Sequence, residues 1–305
     1  MYENTIESCY ERQMGNAPRS SESRPKLRSV LLPLTSAVGR LRAHRWRGVR
    51  FLCYHSVGRP EELSDLARRT PALSVEGFRR HLEIMRESGY RVVSMDRALE
   101  LLTSGEAESG QYICLTFDDG RRDNFVNAWP LLRAAGYSAH FFVSSALIGA
   151  TVHHRLGGAE LVERYMDADM LRAILREGGS IGSHAHHHVD LTTLDEGTLR
   201  TELRESRRLL EALTGRPIQT HAYPWAVYDR RVLAATREAG YRYAFTSSAG
   251  GTVKVLDGDG HASLTIPRNG LRTGTDAKEN YVVMRGGLDF TRPYSALKMR
   301  WRYFL

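Results

Sequence analysis

The sequence has few cysteines, no long apolar run and no linker-like stretch, and each absence narrows what the chain can be. Cys9, Cys53 and Cys114 show no CxxC spacing, so nothing suggests a disulfide framework, and a reducing compartment fits. Cys53 and Cys114 lie in apolar, strand-like runs and read as buried thiols. Residues 1–24 are polar and lack the apolar core of a secretory signal. Val30-Leu31-Leu32-Pro33-Leu34 is too short and too interrupted by proline to span a bilayer. The expected location is the cytoplasm, with peripheral contact at the inner membrane face as a further expectation. No Pro/Gly/Ser-rich linker and no internal repeat divides the centre, so the 305 residues read as one barrel-sized domain with extensions. The expected divisions are a basic, weakly ordered extension (1–45), the main domain (46–290) and a basic aromatic tail (291–305).

Acids are scarce in one stretch. Residues 19–50 hold nine Lys/Arg against Glu22 alone, which accounts for the whole net charge of +8. Such an arm reads either as a solvated extension or as a contact for an anionic surface, phospholipid or nucleic acid. No recognised reading motif accompanies it, so specific nucleic-acid binding is not expected. The tail alternates Tyr294, Leu297, Met299, Trp301, Tyr303 and Phe304 with Lys298, Arg300 and Arg302. That pattern suits an anionic membrane interface or packing onto the domain.

From Val49 onward, short apolar runs alternate with amphipathic stretches. Strands are predicted over 49–54, 91–94, 112–117, 139–143, 180–183, 220–223, 243–246 and 264–266. Helices are predicted over 75–88, 95–102, 124–135, 168–177, 194–213 and 230–239, several ending at a glycine (Gly89, Gly136, Gly240). Alternation of this kind argues for parallel β/α units. Polar residues follow four different strands: His55, the pair Asp118 and Asp119, His184, and the Pro224-Trp225 corner. A barrel collects strand ends on one face, whereas a doubly wound sheet would gather them at one crevice, so a barrel is favoured.

Asp118 and Asp119 sit in Leu115-Thr116-Phe117-Asp118-Asp119-Gly120, and two histidines sit in Gly182-Ser183-His184-Ala185-His186-His187-His188. A carboxylate and two imidazoles are a common set for a catalytic divalent metal, and the other carboxylate is then free to act as a base. An Asp-Asp-Gly run alone would read as an ordinary turn. His184 and His188 are four apart, so a helical turn would place both rings on one side. His186 and His187 are expected to project elsewhere, with either able to substitute as a ligand.

Thr116-Phe117-Asp118-Asp119-Gly120, then Ser183-His184-x-x-x-His188 followed by Asp190-Leu191-Thr192, resemble the first two motifs of the polysaccharide deacetylases. Ala222-Tyr223-Pro224-Trp225 with Tyr228-Asp229 is similar to the third, and the resemblance covers roughly residues 48–270. It implies an α/β fold, a distorted (β/α)7–8 barrel, and a metal-dependent hydrolase removing N- or O-acetyl groups from sugars. By the same resemblance Asp119, His184 and His188 hold a divalent metal, zinc first, with cobalt, nickel or manganese as alternatives. Asp118 is then the general base. The backbone N–H at Trp225 faces the oxyanion, with Tyr223 beside it on the substrate side. Trp225 also offers a flat face for a sugar ring, and a structural role is the competing reading.

Two departures stand out. Many members supply the general acid from a late Leu-x-x-His, and no such motif follows Ile266; His261 lies in a polar loop. Leu52-Cys53-Tyr54-His55-Ser56-Val57 instead resembles the first-strand motif of the subgroup that includes poly-N-acetylglucosamine deacetylases. This implies His55 as the acid; otherwise it caps a strand. Many members also carry an arginine in the third motif, where this chain has Ala222. Arg268, after the last strand, is expected either to reach Asp118 and keep it ionised or to lie on the surface.

The implied partner is an acetylated amino-sugar glycan: an N-acetylhexosamine unit in a polysaccharide, oligosaccharide or lipid-linked glycan. The connection 144–165, with His153, His154 and Arg155, is the expected substrate wall or else a plain long loop. Competing readings are a metal amidohydrolase acting on a non-sugar amide or cyclic imide, and a non-catalytic glycan-binding protein. The last is disfavoured because base and ligands are all present.

Overall fold

Short apolar strands pair edge to edge in one parallel sheet that curls back on itself. The computed structural model describes residues 46–58, 71–156, 159–247, 251–256, 261–271 and 277–285, so the 1–45 extension and the 291–305 tail lie outside the described residues. In chain order the strands are β1 (Gly48–Tyr54), β2 (Ser56–Val57), β3 (Ala72–Leu73), β4 (Arg91–Val92), β5 (Gln111–Phe117), β6 (His140–Val143) and β7 (Thr151–Leu156). They continue as β8 (Ala159–Arg164), β9 (Ser180–Ser183), β10 (Thr220–Ala222), β11 (Tyr243–Thr246), β12 (Ile266–Pro267) and β13 (Asn269–Gly270). The sheet order is β13-β1-β5-β6-β9-β10-β11-β12, every pairing parallel, with β4 alongside the start of β5. The two ends of that row, β12 and β13, are separated in the chain by Arg268 alone. The sheet therefore closes almost completely, as a parallel barrel whose seam is Arg268.

The helices are α1 (Val75–Glu87), α2 (Met95–Thr103), α3 (Trp129–Ala134), α4 (Ala168–Arg176), α5 (Glu196–Thr214), α6 (Arg230–Glu238) and α7 (Ala277–Met284). Five of them open on a Ser or Asp whose side chain accepts from the N–H three residues on: Ser74, Ser94, Asp167, Asp195 and Asp229. Each such cap satisfies an N–H that the helix leaves unpaired and is worth about 1 kcal/mol. Gly89, Gly136 and Gly240 have φ of 70°, 71° and 89°, as helix-ending glycines should.

Strand alternation builds two apolar layers. Val49, Phe51, Cys114, Phe142, Phe245 and Ile266 form one cluster with the buried face of α2. Leu52, Tyr54, Leu115, Phe117 and Phe141 form the other, against Phe78, Leu82, Leu203 and Val232 of the surrounding helices. Neighbouring residues of β1 thus face opposite sides, as the two-residue repeat demands.

Three expectations are corrected. The predicted helix 124–135 begins as a π-helical turn, Asn124–Ala128, before α3. Pro130 has no N–H to close an α-helical bond, and the Trp129 N–H reaches back five residues to the Asn124 carbonyl. The strand predicted over 264–266 shifts to Ile266–Pro267, behind a 3₁₀ turn at His261–Leu264. The connection 144–165 is not a plain loop. It holds the antiparallel hairpin β7–β8, which sequence alternation left unmarked.

His140 is a buried polar residue of β6, 2% exposed, set between Ser180 Oγ (2.7 Å) and Thr220 Oγ1 (3.0 Å). Gly182 is needed beside it, because a Cβ there would lie 2.5 Å from both His140 Nε2 and Thr220 Oγ1. Burial, aided by the Arg268 charge, pushes the His140 pKa down to about 3. The unfolded histidine takes up a proton near pH 6.5, so this contribution is complete above that pH and is lost as the pH falls toward 3. Urea unfolding should show about 2 kcal/mol of stability lost to this residue between pH 6.5 and 5. His140→Gln should remove that part of the slope; an unchanged slope would exclude the assignment.

Candidate metal centre and the carboxylate beside it

The lip of the barrel begins where β5 ends. The Asp118 N–H still donates to Tyr54 O (3.0 Å), continuing the sheet, and then the chain turns left-handed at Asp119 (φ 74°) and Gly120 (φ 79°). That turn sends two consecutive carboxylates to different partners. Among the described residues five non-glycines have positive φ: Asp119, Ala185, His188, Trp225 and Ala226. All five flank this site, where backbone strain commonly collects.

Asp119 Oδ1 lies 3.5 Å from His184 Nε2 and 3.2 Å from His188 Nε2. One donor atom from each residue lies within 4.8 Å of the other two. His184 Nδ1 donates its N–H to the Ala222 carbonyl at 2.8 Å, which orients the ring and turns Nε2 toward Asp119 as the nitrogen available to a cation. The predicted helical turn between the histidines is absent. Left-handed residues at Ala185 and His188 bend the chain back instead and bring the second ring 4.9 Å from the first.

This bend is anchored. Glu202 of α5, 5% exposed, accepts from the N–H groups of His186 (3.0 Å) and His187 (2.9 Å) and binds His187 Nδ1. Ser144 and Ser206 donate to the carbonyls of His184 and Ala185 at 2.8 and 2.9 Å, and His186 Nδ1 meets Ser145 Oγ at 2.8 Å. His186 and His187 therefore point away from Asp119. Asp190 accepts from the Thr192 N–H and hydroxyl at 2.9 and 2.6 Å, which closes the turn after the histidines.

Asp118 is 2% exposed and is gripped by Arg268, with Nη1–Oδ1 and Nη2–Oδ2 both 2.6 Å. The Cys53 thiol donates to Asp118 Oδ2 at 3.3 Å. Burial opposes the Asp118 charge, but Arg268 and His184 outweigh it and push the carboxyl down to about 2. Arg268 is fully buried, so the surface alternative is excluded, and the seam between β12 and β13 is what aims it inward. Asp119 is likewise held well below its ordinary value: burial raises it, while Arg121 and the two histidines lower it further.

The donor set fits a divalent cation. One carboxylate oxygen and two imidazole nitrogens converge, the geometry zinc uses when a position stays open for water. The buried carboxylates Asp118, Asp119 and Glu163 against the guanidiniums Arg268 and Arg121 leave one negative charge. Cys53, His55 and Asp118 form a second close trio, but Arg268 already holds both Asp118 oxygens, so that trio is a poor cation site.

His55 follows β1 beside Asp118, half-buried, and its Nδ1 has no hydrogen-bond partner among the described residues. Burial lowers its pKa, against the pull of Asp119 and Asp118. Asn124 Nδ2 donates to the His55 carbonyl at 2.6 Å and Asn127 Nδ2 to the Val57 carbonyl at 2.9 Å, so the π-helical turn holds this segment in place. Trp225 is 41% exposed, its ring 5.2 Å from that of His188. Tyr223 does not reach the substrate side: it is 1% exposed, stacks on Tyr228 and donates its hydroxyl to the Leu264 carbonyl. It is a core residue: just past β10 it faces the helix-side cluster, while Ala222 before it faces the other.

A family model described as polysaccharide deacetylase matches residues 105–244, the segment that contains both Asp118-Asp119 and the histidines. That segment, just under half of the chain, is what resembles the polysaccharide deacetylases. Among curated proteins it is similar to YxkH of Bacillus subtilis (strain 168), named as a polysaccharide deacetylase, at 26% identity over 65% of this chain and 64% of that protein. It is also 30% identical to the peptidoglycan-N-acetylmuramic acid deacetylase PdaA of the same organism, over 45% of this chain and 47% of PdaA. The chain thus spans less than two thirds of each of these relatives. The fold is that of the Streptococcus pyogenes deacetylase PplD solved with acetate, with a TM-score of 0.64 at 21% identity over 78% of this chain and 98% of that one. IcaB from Ammonifex degensii superposes similarly, with a TM-score of 0.61 at 20% identity over 79% and 98%.

Glu202, Asn124, Arg121 and Glu163 are the residues around this site that sequence reasoning missed. The signal for Asn124 was present in Asp123-Asn124, a polar pair opening a helix. Glu202 looked like one more acid of an exposed helix. Glu202→Ala should cost roughly 2 kcal/mol of stability, because two N–H groups lose their acceptor. It should also weaken zinc binding about tenfold or more, read by competition with a chromophoric chelator. Wild-type zinc affinity in the folded variant would rule out the anchoring role.

Proposed function

We propose that the protein removes N-acetyl groups from an N-acetylhexosamine-containing glycan by metal-assisted hydrolysis. The carrying observation is Asp119 Oδ1 facing His184 Nε2 and His188 Nε2, next to a second carboxylate, Asp118, that Arg268 keeps ionised. Asp119, His184 and His188 would hold the cation, zinc by donor type. Bound there, a divalent cation acidifies a water molecule and polarises the acetyl carbonyl.

The chain's own groups then handle the proton. Asp118, with a pKa near 2, is ionised throughout the working range and accepts a proton from the attacking water. The water oxygen bonds to the amide carbon, the C–N bond breaks, and the proton passes through His55 to the departing nitrogen. The products are acetate and the free amino sugar. His55 is suited to relay because burial keeps its imidazole neutral until a proton is delivered. The Trp225 N–H would face the oxyanion, and its exposed indole offers a flat apolar surface to a sugar ring. The acetylated amino sugar named for PdaA supports this substrate class.

Acetate release from N-acetylglucosamine oligomers, with bound zinc measured in the same samples, tests the reading. Asp118→Asn should retain zinc and lose about 10²–10⁴ in rate, the range for a positioned base. Chelation should abolish activity and zinc should restore it. Loss of zinc in Asp118→Asn would reverse the assignment of base and ligand, and turnover of another amide with no acetate released would select a different amidohydrolase.

A further inference from the structure

Asp119 shows one oxygen to the histidines and the other to an arginine. Arg121 Nε donates to Asp119 Oδ2 at 2.9 Å, and the same guanidinium binds Glu163 Oε1 through Nη1. Arg121 and Glu163 are 6% and 3% exposed, so water screens the pair little. Glu163 belongs to β8, in the hairpin that no motif covers. Tyr165 donates its hydroxyl to Glu163 Oε2 at 3.2 Å and forms a β-bridge with Arg121. The Met166 N–H donates to the Gly120 carbonyl at 2.9 Å. The hairpin is therefore fastened, by backbone and by charge, to the two residues that follow Asp119.

Arg121 alone would be a rival to a cation. A guanidinium bound to Oδ2 draws the carboxylate's negative charge toward itself and weakens Asp119 as a donor. Glu163 answers that charge from the other side. Across Asp119, Arg121 and Glu163 the net charge is −1, the charge an unopposed aspartate would bring to the cation. Hydrogen bonds behind a ligating carboxylate orient it and set its strength. We propose that Glu163, acting through Arg121, is a positioning residue that sets the orientation and charge of Asp119 for cation binding. The β7–β8 hairpin is then part of the metal centre. This rests on Asp119, His184 and His188 being the ligands.

The test is the zinc dissociation constant of the full-length protein by chelator competition, with folding checked by far-UV circular dichroism. Wild type should bind one zinc and Asp119→Ala should lose it; failure of that pair of results sinks the metal-site reading, and this proposal with it. Given that binding, Glu163→Gln should weaken zinc about tenfold or more. Glu163→Asp, which keeps the charge but draws it back, should lose about threefold. Combining Arg121→Gln with Glu163→Gln removes the rival together with its counter-charge, and should bind zinc several-fold more tightly than Glu163→Gln alone. A pair that merely stitches the hairpin down predicts no such recovery. Wild-type affinity in Glu163→Gln, or no recovery in the double variant, overturns the proposal. Should Glu163→Gln fail to fold, Glu163→Asp decides: unchanged affinity overturns it and a threefold loss upholds it.

Discussion

Asp118 and Asp119 are neighbours in the chain and both are buried, an arrangement that ionised carboxylates tolerate only when each has a cation of its own. Arg268 serves the first and Arg121 serves the second. Much of the barrel lip follows from that need. Asp118 continues the sheet direction and meets the arginine at the seam, while the left-handed turn at Asp119 carries the second carboxylate away toward the histidines. Without the turn the two charges would share one environment and one would take a proton.

Closure of the barrel and ionisation of Asp118 are the same structural event. β12 pairs with β11 and β13 pairs with β1, and the single residue between them is the arginine. An inward-pointing guanidinium at the seam is fully desolvated, which is costly unless it is bonded on all sides. Thr246 O, Thr116 Oγ1, Ser247 Oγ and both Asp118 oxygens supply those bonds. Ala222 can be small because the charge that holds Asp118 arrives from the seam between β12 and β13.

Strain is concentrated opposite this pair. Ala185 and His188 occupy left-handed backbone at a cost of order 1 kcal/mol each. Glu202, Ser144 and Ser206 hold the segment there with hydrogen bonds that water would otherwise supply. The histidines thus meet through a braced loop rather than a helix. A braced loop keeps Nε2 of both rings fixed on one carboxylate oxygen, and a helical turn would have left their approach to the tolerance of two rotamers.

Much was legible in the linear chain. Apolar runs marked most of the barrel strands to within a few residues and glycines marked several helix ends, because a buried parallel strand needs a continuous apolar stretch and a helix often ends on a left-handed residue. The motifs marked Asp118, Asp119, His184 and His188, because the chemistry restricts those positions to few residue types. What the tertiary structure decided is everything that depends on convergence from distant segments. Arg268 comes inward only because the barrel closes there, and Tyr223 turns to the core because the chain leaving β10 still pairs with β11 through the Phe245 carbonyl. Glu163 reaches Arg121 only because a hairpin folds back onto the lip. Local sequence carries local preferences; which buried charges face one another is set by packing across the fold, and no stretch of the chain encodes it alone.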